Sequence, residues 1–331
     1  MQVVIDNAIP YIKGILEPYC DVIYLPAKQI TANIIHSVDA LIIRTRTKCD
    51  KDLLDGSTIK FIATATIGTD HIDLEYCANH DIKVCSAPGC NARGVLQWVA
   101  AALHYISTTD KHTPADYTLG VVGVGNVGSL VSEYARYWGF KVIECDPPRK
   151  AREGGDFRTI EEIAKECNII TFHTPLDEST YHIVNDTLIS LMQPDTTIIN
   201  ASRGEVVNNS AIAPCRHRYI FDVWEGEPHL NNNVLQGATL ATPHIAGYSI
   251  QGKANATAMV VNALARHFDL PLKDWYPAGI KRTTPQLISW NELCTTITKY
   301  YDIEKESLSL KNSPQDFEHM RNSYNYREEY F

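Results

Sequence analysis

Three polar residues in the second half of the chain have the types that a proton-transfer site needs. Arg203, Glu227 and His244 occur in this order, each in a short segment that follows a predicted strand. An imidazole can take a proton, and a carboxylate beside it favours the protonated form and raises its pKa. A guanidinium group matches a carboxylate bidentately. Together these residues predict oxidation of a 2-hydroxy acid, with His244 as the base, Glu227 as its partner and Arg203 as the anion clamp.

Each of these residues also has a simpler interpretation when it is taken alone. Most of the 12 histidines will be surface or satisfied core residues. Glu225 or Glu227 could be a solvated loop charge, and Arg203 could pair structurally with Asp222. The combination favours a site, because ligands of open α/β sheets bind at the carboxyl ends of the strands.

A glycine-rich loop, Gly123-Val124-Gly125-Asn126-Val127-Gly128, lies between an apolar strand and an amphipathic helix. In that context Gly123 permits a tight turn, Gly125 lets the backbone approach a pyrophosphate, and Gly128 permits close packing of helix on strand. The pyrophosphate would lie at the helix N-terminus, next to Asn126 and Val127. The alternative is a tight turn without a ligand.

Asp146 lies 18 residues after Gly128, at the end of the next predicted strand. A carboxylate at this position accepts hydrogen bonds from the adenosine ribose and repels a 2′-phosphate, which predicts NAD rather than NADP. Arg149, which follows Pro147-Pro148, leaves NADP open as an alternative.

The elements that must position these residues alternate between strands and helices, which predicts a doubly wound α/β fold. In the first ninety residues we predict strands at Gln2–Ile5, Val22–Leu25, Ala40–Arg44, Phe61–Thr64 and Ile82–Cys85. Further strands are predicted at Thr118–Val122, Phe140–Cys145, Asn168–His173, Thr196–Asn200, Tyr219–Asp222 and Thr239–Ala241. Helices are predicted at Ala92–Ser107, Asn126–Trp138, Thr159–Cys167 and Ser249–Phe268, with a loop at Thr108–Tyr117.

The composition is that of a globular protein with 44% hydrophobic and 21% charged residues. A net charge of −9 argues against a nucleic-acid partner. No apolar stretch approaches the length of a membrane span, and we expect no signal peptide. The nine cysteines have no metal-site spacing, so we expect reduced thiols, a cytoplasmic location and no metal.

The segments Gly123–Gly128, Arg203, Asp222, Glu227 and His244 together resemble the D-isomer-specific 2-hydroxyacid dehydrogenases. A narrower resemblance, to the members of that family that oxidise 4-phospho-D-erythronate, is carried by five further segments. These are Ala63–His71, Ala87–Ala92, Cys145–Arg149, Phe172–Pro175 and Pro243–Tyr248.

The resemblance implies two Rossmann-like doubly wound domains and a small C-terminal α+β dimerisation domain. The substrate domain would comprise residues 1–91 and 249–268, the NAD-binding domain residues 92–248, and the dimerisation domain residues 269–331. Phe317–Glu329, with Arg321, Tyr324 and Arg327, resembles part of that last domain. A homodimer and closure of the cleft by hinge motion are expected.

The resemblance also implies roles for individual residues. Arg203, Glu227 and His244 would be catalytic, and His244 would carry the proton. Contacts with NAD are implied for Asp146, Thr174, Asp222 and Gly247, and contacts with the substrate for Thr45, Thr66 and Tyr248.

The phosphate of such a substrate suits the segment Arg44-Thr45-Arg46-Thr47, although Arg44 and Arg46 could equally be surface residues at a strand end. The segment between Asn208 and Tyr219 is shorter than in the family, and Pro214 interrupts the helix expected there.

Two rival functions stay open at this point. One is oxidation of a different 2-hydroxy acid such as 3-phosphoglycerate, since sequence spacing does not measure pocket length. The other is a non-catalytic scaffold that senses NAD. Turnover of NAD with a hydroxy acid discriminates the enzyme from the scaffold.

Overall fold

The computed structural model describes all residues, 1–331. The chain forms two compact units, each built around a parallel sheet. The first unit comprises Met1–Asn91 and Ile250–Arg282, and the second comprises Ala92–Ser249 and Thr283–Phe331. No helix is both long enough and apolar enough to cross a bilayer.

The first unit contains five strands in the spatial order β2-β1-β3-β4-β5, which is a doubly wound arrangement. Its elements before Asn91 are β1 (Gln2–Asp6), β2 (Asp21–Leu25), α1 (Ala32–Ile35), β3 (Ala40–Ile43), α2 (Lys51–Leu54), β4 (Phe61–Thr64), α3 (Leu74–Asn79) and β5 (Lys83–Cys85). Strands β3 and β4 are buried along their whole length, as expected for apolar runs covered on both faces.

The second unit contains a six-stranded sheet. Its elements up to Ala241 are α4 (Ala92–Asp110), β6 (Thr118–Val122), α5 (Asn126–Trp138), β7 (Lys141–Cys145), α6 (Pro147–Glu153), α7 (Ile160–Glu166), β8 (Ile169–Phe172), α8 (Asp186–Leu191), β9 (Thr197–Asn200), α9 (Asn209–Ile212), β10 (Arg218–Phe221), α10 (Asn232–Gly237) and β11 (Leu240–Ala241). The strand order is β11-β10-β9-β8-β6-β7, and every pair is parallel. The order reverses between β6 and β8, where ligands of such sheets bind.

The remaining elements are α11 (Ile250–His267) in the first unit, and α12 (Trp290–Tyr300), α13 (Ile303–Asn312) and α14 (Phe317–Asn322) in the second. Short 3₁₀ turns occur at Ala27–Gln29, Pro114–Asp116, Gly204–Val206 and Pro314–Asp316. Helix α11 packs on the first sheet through Val260, Val261 and Leu264.

The predicted α/β alternation is confirmed, with element boundaries within a few residues. Strand Thr118–Val122 and helix Asn126–Trp138 have the predicted limits. Helix α4 runs three residues further than predicted, so Thr108–Asp110 is helical and not part of a loop. Helix α6 was not predicted; proline is tolerated in the first turn of a helix, and the Asp146 side chain caps this one.

Helix α9 is a single turn. It ends at Ile212, two residues before Pro214, as expected where a proline ring would clash with the preceding turn.

The C-terminal tail differs from the expected separate α+β domain. Residues 269–282 belong to the first unit and residues 283–331 to the second. The latter form three helices and no strand, and their one β-type contact is an isolated bridge between Ser249 and Arg327. The reason is packing: Leu293 and Ile297 enter the core beside α4 and α5, while Leu310 and Phe317 enter the core on the other side of the sheet.

Two buried charged residues of the tail form hydrogen bonds with residues close to the points where the chain enters or leaves the second unit. Arg327 Nη2 donates to the carbonyl of Gly94, 2.9 Å away, near the start of α4. Glu329 accepts from Ser249 Oγ at 2.6 Å and from Thr283 Oγ1 at 2.5 Å. Arg327 and Glu329 are each only 6% exposed. The tail therefore ties together the three segments by which the chain passes to and from this unit.

Candidate active site

The carboxyl ends of the second sheet bring most of the predicted residues to one edge. The register aligns Val122 with Phe172, Phe172 with Asn200, and Asn200 with Phe221. The loops that follow these strands carry the glycine-rich segment, Thr174, Arg203, Asp222 and Glu227, and His244 follows the adjacent strand β11. One edge of one sheet thus collects both the predicted cofactor residues and the predicted catalytic residues.

Close approach explains two of the three glycines in the loop. Gly123 has a φ of +84°, and a Cβ there would lie 2.8 Å from the backbone of His173. A Cβ on Gly128 would lie 2.0 Å from the carbonyl oxygen of Gly123. At Gly125, by contrast, a Cβ would meet nothing within 4 Å. The loop is therefore closed towards the protein and open at Gly125.

No side chain caps the N-terminus of α5. The first amides of a helix have no partner within it, so those of Asn126, Val127 and Gly128 are available to an anion. With the open position at Gly125, this N-terminus fits the pyrophosphate of a dinucleotide.

Asp146 connects this loop to the next helix. Its Oδ2 accepts from the amide of Val124 at 2.8 Å, and its Oδ1 accepts from the amide of Arg149 at 2.8 Å. Arg149 Nη1 donates in turn to the carbonyl of Val124, also at 2.8 Å, and Arg149 forms an ion pair with Glu153. Asp146 thus fixes the loop geometry and starts α6.

Thr174 follows β8 directly beside Gly123. Its hydroxyl is inaccessible to water and has no hydrogen-bond partner. A buried polar group without a partner is costly, which suits a position that gains its partner from a ligand.

The preceding residue, His173, was not singled out by its sequence. Its Nε2 lies 3.0 Å from Thr171 Oγ1, and its Nδ1 has no partner. Burial lowers the pKa of His173 to about 3, so the imidazole is neutral at physiological pH. No local sequence pattern indicates this lowered pKa, because burial comes from the tertiary structure.

Arg203 lies in a loop that Asn200 holds in place. Asn200 Nδ2 donates to the carbonyl of Arg203 at 2.8 Å, and Asn200 Oδ1 accepts from Ser202 Oγ at 2.7 Å. The next residue, Gly204, lies so close to Trp224 that a Cβ would come within 2.0 Å of the Trp224 carbonyl carbon. This packing fixes the backbone from which the guanidinium group extends.

Asp222 organises the turn that carries His244. It is 1% exposed, and Oδ1 accepts from Thr242 Oγ1 at 2.6 Å and from the amide of Ile245 at 2.8 Å. Its Oδ2 accepts from the amide of Ala246 at 2.8 Å. Burial raises the pKa of Asp222 despite these hydrogen bonds and the nearby His244. A nearly inaccessible carboxylate with three donors shapes the backbone around His244.

His244 and Glu227 form the predicted pair. His244 Nδ1 lies 2.7 Å from Glu227 Oε2, and Glu227 Oε1 accepts from the amide of Trp224 at 2.8 Å. Burial raises the pKa of Glu227, but the charge and hydrogen bond of His244, with Arg321 and the Trp224 amide, outweigh burial and leave the pKa below its ordinary value.

Glu225, the alternative carboxylate, has different partners. It lies 2.5 Å from His182 Nε2 and accepts from the amide of Asn209 at 2.9 Å. Glu227 is therefore the carboxylate that pairs with His244.

His244 also has an unusual backbone. Its φ is +57°, and its amide donates to the carbonyl of Asp222 at 2.8 Å. A left-handed conformation is unfavourable for a residue with a Cβ and is held by the surrounding structure, which is common at functional positions.

Gly247 and Tyr248 complete this loop. The backbone of Gly247 packs on α4, where a Cβ on Gly94 would lie 3.4 Å from the Gly247 carbonyl carbon. The Tyr248 hydroxyl accepts from Arg321 Nε of α14 at 3.1 Å. The sequence suggested Arg321 only as part of a dimerisation domain, whereas the structure places it in contact with Tyr248.

The two substrate residues predicted in the first unit lie together at the carboxyl edge of its sheet. The register pairs Ile43 with Thr64, and Thr45 and Thr66 each lie two residues further along. Thr66 Oγ1 lies 2.6 Å from Thr64 Oγ1. Arg44, a candidate for binding the substrate phosphate, forms an ion pair with buried Asp6, with Nε 3.0 Å from Oδ2.

Residues 96–246 match the family model for the NAD binding domain of the D-isomer specific 2-hydroxyacid dehydrogenases. The chain is 41% identical to erythronate-4-phosphate dehydrogenase of Bacteroides thetaiotaomicron, over 99% of this chain and 97% of the relative. It is 42% identical to the enzyme of the same name from Bacteroides fragilis, with the same coverage.

Among solved structures, NAD⁺-bound 3-phosphoglycerate dehydrogenase of Entamoeba histolytica is similar, with a TM-score of 0.69 and 26% identity over 85% of this chain and 99% of that one. D-lactate dehydrogenase of Aquifex aeolicus has the same fold, with a TM-score of 0.69 and 22% identity over 85% of this chain and 100% of that one.

The comparisons agree with the geometry: a dinucleotide loop and a paired His and Glu at one sheet edge occur in a chain that aligns with the two Bacteroides relatives over 99% of its length. The protein belongs to the erythronate-4-phosphate dehydrogenases, a branch of the NAD-dependent D-isomer specific 2-hydroxyacid dehydrogenases.

Proposed function

We propose that this protein oxidises 4-phospho-D-erythronate with NAD to 2-oxo-3-hydroxy-4-phosphobutanoate, a step in the biosynthesis of vitamin B6. The observation that carries the proposal is the His244–Glu227 pair, at 2.7 Å, in a chain that is more than 40% identical to erythronate-4-phosphate dehydrogenases over nearly its full length.

His244 is the proton carrier in this proposal. Glu227 accepts a hydrogen bond from the Nδ1–H group of His244 and thereby fixes the orientation of the ring. This leaves Nε2 free to take the proton of the C2 hydroxyl. NAD, when bound, is the acceptor of the hydride that leaves C2. The products are then the 2-oxo acid, NADH and a protonated His244, which returns its proton to solvent.

Arg203 binds the substrate carboxylate and stabilises charge on the developing carbonyl oxygen. Thr45, Thr66 and Tyr248 bind the remainder of the substrate. The cofactor is held by the N-terminus of α5, by Asp146 at the ribose, and by Thr174, Asp222 and Gly247. The uncapped helix N-terminus and the unpartnered Thr174 hydroxyl support this assignment.

The oligomeric state and location belong to the same proposal. We place the enzyme in the cytoplasm as a homodimer. Nine free cysteines suit a reducing compartment. Light scattering on the purified protein would measure the mass of the particle, and a mass of one chain would contradict the dimer.

The test is formation of NADH by the purified protein with either 4-phosphoerythronate or 3-phosphoglycerate, in the presence of a carbonyl trap that removes the product. A higher kcat/KM with 4-phosphoerythronate supports the proposal. A preference for 3-phosphoglycerate would keep the mechanism and overturn the substrate. NAD binding without turnover of either acid would favour a sensor.

A further inference from the structure

Arg321 occupies a position that neither the motifs nor the family resemblance assigns to the reaction. It lies on α14, one helical turn after Phe317, which is 2% exposed and packs in the core of the second unit. Met320 packs partly against the same core. Apolar side chains thus anchor helix α14 in the core. The guanidinium group of Arg321 is directed to the loop after His244.

The contact of Arg321 with Tyr248 is specific. Arg321 Nε donates to the Tyr248 hydroxyl at 3.1 Å, and the guanidinium carbon lies 6.0 Å from the centre of the same ring. Tyr324 and Tyr326 meet that ring edge-on, with centroids 6.2 and 6.0 Å away. A side chain that is bound at its hydroxyl and packed against two further aromatic rings has little rotational freedom.

Arg321 also acts on Glu227 through its charge. Three groups interact electrostatically with Arg321: Glu227 and Asp222 from the loop after β10, and Tyr248 from the loop before α11. Its positive charge is one of the causes that lower the pKa of Glu227, alongside His244.

We propose that Arg321 is a positioning residue for the oxidation, which fixes the hydroxyl of Tyr248 and supplies positive charge beside the Glu227–His244 pair. This inference rests on the proposed function of the same site. It gives the tail helix α14 a part in the chemistry of its own chain, in addition to its packing.

The experiment compares wild type with Arg321→Met, Arg321→Lys, Tyr248→Phe and the double variant Arg321→Met/Tyr248→Phe. Arg216→Met is the matched control, since Arg216 is an exposed arginine of the same unit. The measurements are kcat and KM with 4-phosphoerythronate, the pH profile of kcat/KM, and the thermal midpoint. A second measurement, independent of turnover, is the titration of the Glu227 carboxyl followed by ¹³C NMR.

For Arg321→Met we expect KM to rise and kcat/KM to fall about 10- to 100-fold, the effect of losing a hydrogen bond to a charged group and its field. The acid side of the pH profile and the Glu227 titration should both move to higher pH. Arg321→Lys should restore the Glu227 titration but not the KM, because an ammonium group cannot reproduce the planar geometry. Arg321→Met should add little to the effect of Tyr248→Phe on KM.

An unchanged Glu227 titration in Arg321→Met would overturn the proposal, whether or not the protein turns over 4-phosphoerythronate. A lower thermal midpoint with unaltered pH profile and KM would also overturn it, since it would leave Arg321 a purely structural role. If the wild type oxidises a different hydroxy acid, the proposed substrate is wrong. The role of Arg321 is then decided by the same kinetic comparison with that acid and by the NMR titration.

Discussion

Glu227 Oε2 lies 2.7 Å from His244 Nδ1, and the two residues reach each other from loops that follow the neighbouring strands β10 and β11. In the proposed mechanism this arrangement separates proton transfer from cofactor binding, because the dinucleotide loop follows a different strand, β6. Replacing His244 with Ala should therefore lower kcat about 10²- to 10⁴-fold, the usual contribution of a general base. NAD affinity, measured by calorimetry, should change little. Activity that survived this change would show that His244 is not the base.

The pH dependence of stability should contain a contribution from Glu227. Its pKa is lowered on folding, so the stabilisation by its ionised form is fully present above the ordinary pKa of 4.5. That stabilisation is lost as the pH falls through the lowered pKa of the folded state. Urea unfolding at a series of acidic pH values should therefore show a weaker dependence on pH in Glu227→Gln than in wild type. Parallel curves for the two proteins would contradict the lowered pKa.

Asp222→Asn should destabilise the second unit by roughly 1–3 kcal/mol, because an amide nitrogen in place of Oδ2 would face the amide donor of Ala246. The loss of turnover in Asp222→Asn should exceed the loss that the lower stability explains, since the hydrogen bonds of Asp222 also shape the turn that carries His244. Asp195→Asn, at an exposed position, is the control. Denaturant unfolding and kcat at a temperature well below the transition measure the two effects. Equal behaviour of the two variants would remove Asp222 from this role.

Two alanine substitutions in the dinucleotide loop should behave differently. Gly125→Ala places its methyl group in open space, so the thermal midpoint should hold while NAD affinity falls, because the methyl blocks the approach of the pyrophosphate. Gly128→Ala drives a Cβ to 2.0 Å from the Gly123 carbonyl oxygen, so the loop must shift and the midpoint should fall as well. Unaltered NAD binding in Gly125→Ala would place the cofactor elsewhere.

Thr174→Val should not destabilise the protein without ligand, since it removes a buried hydroxyl that has no partner. NAD affinity should fall if the hydroxyl serves the cofactor. Thr197→Val is a close control: its hydroxyl is also buried and unpartnered, but it lies at the start of β9, away from the carboxyl edge. A loss of affinity shared by both variants would point to a general packing effect.

The sequence was sufficient to predict the alternation of strands and helices, the dinucleotide loop and the His244–Glu227 pair. All three depend on local patterns. Apolar runs define the strands, and glycine spacing defines the loop. The polar residues directly follow predicted strands, and in a parallel sheet the carboxyl ends of the strands share one edge. The separate role of Glu225, two residues before Glu227, could not be predicted, because it depends on His182, which is 43 residues away.

The tail was the least predictable part. Its helices carry few apolar residues, and whether Leu293 or Phe317 packs within its own segment or on the sheet is a tertiary choice that local pattern does not encode. Arg321 was missed for the same reason. Its hydrogen bond is with Tyr248, which lies 73 residues earlier in the chain.

The buried pair Arg327 and Glu329 has a consequence for biosynthesis. The groups that they bind, the carbonyls of Gly94 and Ile245 and the hydroxyls of Ser249 and Thr283, are all translated before them. On the ribosome these groups must stay solvated until residue 329 has emerged. The nucleotide-binding unit therefore reaches its final form only after nearly all of this sequence has been made, and a nascent chain stopped before Arg327 would present an unfinished site to the cell's chaperones and proteases.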